Sequence, residues 1–128
     1  MINTQGYYIT DKGEKITIES QDYISLSNKN IVELVLPSHG VKYVYCHNNQ
    51  IKELILPSGV KTVWCHNNQL KKLILPSSIQ YVYCYNNQLK ELILPSSVKT
   101  LSCENNNITG LILPSGIQYV CCYNNNIT

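Results

Sequence analysis

The sequence predicts a mainly β fold: a right-handed solenoid with a parallel front sheet, an extended back wall and an N-terminal β-hairpin cap. Three observations predict it. The stretch "YVYCHNNQIKELILPSG" at 43–59 returns as "TVWCHNNQLKKLILPSS" at 62–78 and as "YVYCYNNQLKELILPSS" at 81–97, a period of nineteen. Each copy opens with apolar and polar residues in alternation, the signature of a half-buried strand. The return segment, as in "KELILPS", is too short and too β-branched for a helix, and its proline closes it.

Taken in order, residues 1–30 do not repeat and form the cap. "YYIT" and "KITIES" flank "DKGE", a hairpin turn in which glycine supplies the positive φ. "YISLSNKNI" is a degraded copy of the later pattern, with Ile24 and Leu26 in inward places and Lys29 where an asparagine stands later. An end turn otherwise exposes its core, which is why a stack of repeats needs such a segment. Residues 31–128 hold five units, at 31–50, 51–69, 70–88, 89–107 and 108–126, and form one domain with the cap. The first unit carries one extra residue, which a widened turn near His39 should absorb. In "VKYVYC" alternation sends Val44 and Cys46 inward and Tyr43 and Tyr45 outward. Each buried side chain contributes ~1.5 to 3 kcal/mol only when neighbouring units cover it, so one unit alone would not fold.

Val41, Val44, Cys46, Asn49, Ile51, Leu54 and Leu56 follow the spacing LxxLxLxxNxLxxLxLP, with valine or isoleucine in some leucine places and cysteine in the third. This resembles the leucine-rich-repeat (LRR) family, whose signature is LxxLxLxxNxL. In detail it is similar to the short, helix-poor variants, the proline-containing repeats of bacterial effectors and repeats of the LxCxxNxL type. The wealth of Asn, Ile, Lys and Tyr is also similar to repeat proteins of giant viruses of amoebae or of intracellular bacteria. The resemblance implies that the column Asn49, Asn68, Asn87, Asn106 and Asn125 lies inside the turns, its amides bonded to backbone groups.

At 128 residues the chain is about one domain long. Its net charge is +2, all ten basic residues are lysine, and no run of like charges occurs, so neither a nucleic-acid partner nor a membrane surface is expected. The first twenty residues lack a signal segment, which predicts a cytoplasmic location, or the host cytoplasm for a virus or intracellular bacterium. The cysteines agree. Cys46, Cys65, Cys84, Cys103 and Cys122 form a column whose neighbours sit ~4.8 Å apart, beyond the ~3.5 to 4.5 Å between Cβ atoms that a disulfide takes. They read as reduced core thiols, whereas Cys121 should face solvent as the one readily alkylated thiol. Cys46–His47 and Cys65–His66 suggest zinc, but adjacent strand residues point to opposite faces. No metal and no cofactor is expected. No catalytic fingerprint is present, and Glu104 is the only carboxylate in the front columns of the repeats. The chain is expected not to be an enzyme.

Function then resides in the outward residues. The front face presents Tyr43, Tyr45, His47, Trp64, His66, Tyr81, Tyr83 and Tyr85, with Tyr119 and Tyr123 in the last unit. Tyr and Trp dominate binding hot spots, so this face is the expected binding site of a non-catalytic protein–protein interaction module. The back wall presents Ile55, Ile74, Ile93 and Ile112, flanked by Lys52, Lys71 and Lys90, and the last strand, around Val120, offers a bare edge. These surfaces support the alternative of a self-assembling structural component or homodimer. A third reading, weaker on so thin a lysine column, is stacking of carbohydrate or single-stranded nucleic acid on the aromatic columns.

Overall fold

The computed structural model describes residues 5–128; the first four residues of the expected cap lie outside the described residues. Among the described residues no helix is long and apolar enough to cross a membrane. The hairpin forms from β1 (Gly6–Thr10) and β2 (Lys15–Ile18), antiparallel, with Gly13 at φ +82° in the turn. The free side of β1 pairs antiparallel with β4 (Ile31–Val35), giving a sheet of order β2-β1-β4. The hairpin is thus joined to the back wall of the first repeat. Nothing in the hairpin's own sequence indicated that partner, because two strand patterns in register do not say which third strand they meet.

The front sheet has six parallel strands: β3 (Tyr23–Ser25), β5 (Tyr43–Tyr45), β7 (Thr62–Trp64), β9 (Tyr81–Tyr83), β10 (Thr100–Ser102) and β11 (Tyr119–Cys121). Their register aligns Ile24, Val44, Val63, Val82, Leu101 and Val120 in one inward row. The degraded copy therefore does open the sheet. The cap and the first four turns bury this row with its neighbours, as with Val60, Val63, Cys65, Leu70 and Leu73, and Val120 of the last turn is partly buried. Cys46, Cys65, Cys84 and Cys103 are buried and unpaired, and burial drives the Cys46 and Cys103 thiols up to about 12.

The back wall is less regular than the front. Only β6 (Glu53–Ile55) and β8 (Lys72–Ile74) pair with each other, parallel, with one ion pair of 3.9 Å between Lys72 and Glu53. Residues 91–93 and 110–112 are extended in sequence pattern but form no strand. Grooves of about 620 and 490 Å³ open on either side of the β6–β8 pair, lined by residues such as Val35 and Ile55 in one and Ile74 and Ile93 in the other. The extra residue of the first unit is absorbed where the spacing placed it. Buried Leu36 and Leu56 are twenty apart and buried Val41 and Val60 nineteen, so the insertion lies between 36 and 41. There Gly40 takes φ +85°, and the Ser20 hydroxyl donates to the His39 carbonyl, tying cap to turn.

Two asparagine columns hold the turns together. Asn68 accepts from the Ile51 amide at 3.0 Å and donates from Nδ2 to the carbonyls of Cys46 and Cys65 at 3.0 and 3.1 Å. Asn49, Asn87, Asn106 and Asn125 repeat this bridge, each lacing its own turn to the one before. The second column escaped the sequence reading. Asn48, Asn67, Asn86, Asn105 and Asn124 all sit at φ between 55° and 59°, a left-handed conformation that asparagine tolerates better than most residues. Their side chains form an outer ladder, each Nδ2 donating to the preceding Oδ1 at 2.7 to 2.8 Å.

Candidate functional site

The front strands are three residues long, so each turn displays its outward side chains from a short, rigid platform. In-register pairing sets Tyr45, Trp64 and Tyr83 in one column. Tyr23 of the cap, in register with Tyr43, reaches diagonally to it, with ring centroids at 4.8 Å to Tyr45, 5.6 Å from Tyr45 to Trp64 and 4.9 Å from Trp64 to Tyr83. Beside it runs a tighter stack. His47 and His66 are 4.5 Å apart at 10°, and His66 and Tyr85 are 4.4 Å apart at 12°. Spacing and tilt follow from strands repeating at ~4.8 Å, which leaves stacked rings as the way to fill a column.

This geometry corrects the reading of individual residues. His66 is buried, not exposed, because Trp64, His47 and Tyr85 close around it. Desolvation, and then the charge of His47, lowers its pKa to about 4. Nδ1 of His47 and of His66 are both buried without a hydrogen-bond partner. Ser102 is buried as well, and its hydroxyl donates to Glu104. Cys121, expected as a free surface thiol, is half-buried and donates to Glu104 Oε2 at 3.4 Å. Desolvation first, and the Glu104 hydrogen bond second, push its pKa up. A side chain can reach the neighbouring turn, and single-strand alternation does not register that.

Tyr43, Trp64, Tyr81, Tyr119 and Tyr123 are exposed, and Tyr45, His47, Tyr83 and Tyr85 are half-buried in their columns. The His47, His66 and Tyr85 rings lie nearly parallel, whereas Tyr23, Tyr45, Trp64 and Tyr83 are tilted to their neighbours by 40 to 48°. On the opposite wall Ile55, Ile74, Ile93 and Ile112 are exposed, the last two at 81 and 88%. Val120, in the edge strand, is half-buried. Among the described residues no group of three or more His, Cys, Asp or Glu side chains is arranged to hold a metal ion.

No family model matches the chain, and no curated protein matches it at a significant level. Solved structures do. A Shigella effector LRR domain superposes with a TM-score of 0.79 at 27% identity, covering 84% of this chain and 51% of that one. YopM from Yersinia enterocolitica WA-314 superposes with a TM-score of 0.68 at 27% identity, covering 73% of this chain and 22% of that one. The chain therefore spans about half the length of the first and less than a quarter of the second.

Proposed function

We propose that this chain, a leucine-rich-repeat solenoid similar to bacterial effector repeats, is a non-catalytic module that binds a protein partner through its aromatic front face. The observation that carries the reading is the pair of ring columns, Tyr23–Tyr45–Trp64–Tyr83 and His47–His66–Tyr85, packed side by side on a rigid sheet. Stacking fixes these rings before any partner arrives, so little side-chain freedom is lost on binding. Their edges offer hydroxyl and imidazole groups over an apolar body, the combination that anchors protein interfaces. Tyr43, Tyr81, Tyr119 and Tyr123 widen the face. Effector-like relatives support a site of action in a host cytoplasm.

The test is affinity capture with the wild type and with a variant carrying Tyr45→Ser, Trp64→Ser and Tyr83→Ser together. The partner should be lost from the variant while its thermal transition stays cooperative. Retention of the same partner by a folded variant would move the binding surface elsewhere.

A second reading, self-association, rests on a different observation. Ile93 and Ile112 are 81 and 88% exposed, and among the described residues the outer edge of β11 has no paired strand. An apolar stripe beside an open edge invites another copy. Solution mass over a hundredfold range of concentration, with Ile93→Lys and a Val120→Pro edge variant, separates the two readings.

A further inference from the structure

We propose that the fourth turn carries a socket for one arginine side chain of the protein partner, with the Glu104 carboxylate as its base and the rings of Tyr85 and Tyr123 as its walls. This rests on the front-face reading and names the chemistry that the partner must bring. The starting point is an interruption. Turns one to three fill the front columns with Tyr45, Trp64 and Tyr83 and with His47, His66 and Tyr85, whereas the fourth turn places Ser102 and Glu104 there. Backbone bonds fix the register: the Asn86 amide donates to the Glu104 carbonyl at 3.0 Å and the Asn105 amide to the Tyr123 carbonyl at 3.1 Å. Glu104 therefore lies between Tyr85 and Tyr123 in its column. One face of Tyr85 stacks on His66 at 4.4 Å, and among the described residues no ring meets the other. Two turns at ~4.8 Å each separate the tyrosine positions by roughly 9.6 Å, with the Glu104 side chain in place of a ring between them.

The floor of the gap is charged. The Ser102 hydroxyl donates to one Glu104 oxygen and the Cys121 thiol to the other at 3.4 Å. Both donors are neutral, and the single ion pair among the described residues is on the back wall. A half-buried carboxylate without a cation gains more from one than a fully solvated carboxylate would. A guanidinium satisfies walls and floor together: it is planar, stacks on aromatic rings and donates in pairs to a carboxylate. The chain contains no arginine of its own. A second copy therefore cannot supply this guest.

The experiment uses N-acetyl-arginine-N-methylamide as probe, with its lysine and citrulline counterparts, titrated into the full chain and followed by NMR shifts. Arginine should saturate in the millimolar range with shifts confined to turns three to five, and citrulline should bind at least about tenfold more weakly. Glu104→Gln keeps an acceptor for Ser102 and should retain the fold; it should weaken arginine at least about tenfold. Equal binding of citrulline, undiminished binding by Glu104→Gln, or no saturable shift would each overturn the socket. Lysine binding as well as arginine would overturn the planar guest. In the capture experiment, a partner kept by Glu104→Gln but lost by the triple aromatic variant sinks the socket and spares the face; a partner kept by both sinks both.

Discussion

Two asparagines stand side by side in every turn, yet they hold the fold in different ways. Asn68 is buried, and its amide nitrogen supplies donors that two carbonyls of adjacent turns need. Aspartate has the same shape and cannot donate, so Asn68→Asp takes one of two donors from each carbonyl, Asn49 and Asn87 keeping the other, and sets a buried charge beside them. We expect a loss of about 2 to 4 kcal/mol in urea titration. Its neighbour Asn67 is exposed and valuable for its backbone, at φ 55°. Asn67→Gly should be close to neutral, while Asn67→Val should cost roughly 1 to 2 kcal/mol in the same titration. His66 adds a dependence on pH. Its pKa falls from the ordinary 6.5 to about 4 on folding, so the unfolded chain takes up the proton first. The contribution is full above 6.5, declines as pH falls and is gone below about 4. His66→Tyr extends the Tyr85 stack and should flatten the stability profile across that window; an unchanged slope would place the titration elsewhere.

At the level of elements, the cap depends on how closely β1 approaches the first repeat. A Cβ on Gly6 would lie 2.1 Å from the Val35 carbonyl oxygen and 2.7 Å from the Pro37 nitrogen, both backbone atoms with no easy retreat. Gly6→Ala should therefore part β1 from β4, and hydrogen exchange should quicken in 6–10 and 31–35 while turns three and four stay protected. Elements of this kind mark the boundary of what the sequence disclosed. The front strands and the inward row were legible because a nineteen-residue period makes each position report on five copies; the place of the inner asparagine column followed from the family resemblance. The pairing of β1 with β4 was not, since it joins a unique segment to one copy. The broken back wall was not either: "KELILPS" stands at 52–58 and again at 90–96, yet the first holds β6, which pairs with β8, and the second forms no strand. The site divided the same way. The aromatic columns followed from alternation, but the burial of His66 and the turning of Ser102 and Cys121 toward Glu104 depend on the neighbouring turn.

For the molecule as a whole, a stack in which each turn touches only its neighbours should lose structure from its less covered end. The two ends differ. At the first, the hairpin covers the stack and Ile24 and Ile31 are buried. At the last, Ile117, Val120 and Cys122 are only partly buried, Leu113 is 44% exposed, and among the described residues β11 pairs on one side alone. Amide exchange in dilute solution should therefore rise from turn three to turn five, fastest in 117–126, and Leu101→Ala should cost about 2 to 5 kcal/mol where Val120→Ala costs much less. The same measurement discriminates between the two functions. If the edge of β11 pairs with another copy, protection at 119–121 must grow with protein concentration, because a second chain then satisfies its free amides. If the protein acts as a monomeric binding module, that exchange is independent of concentration and slows only when a partner covers the face. Growth of protection with concentration that disappears with Val120→Pro would make assembly the primary function and leave the aromatic face to a lesser role.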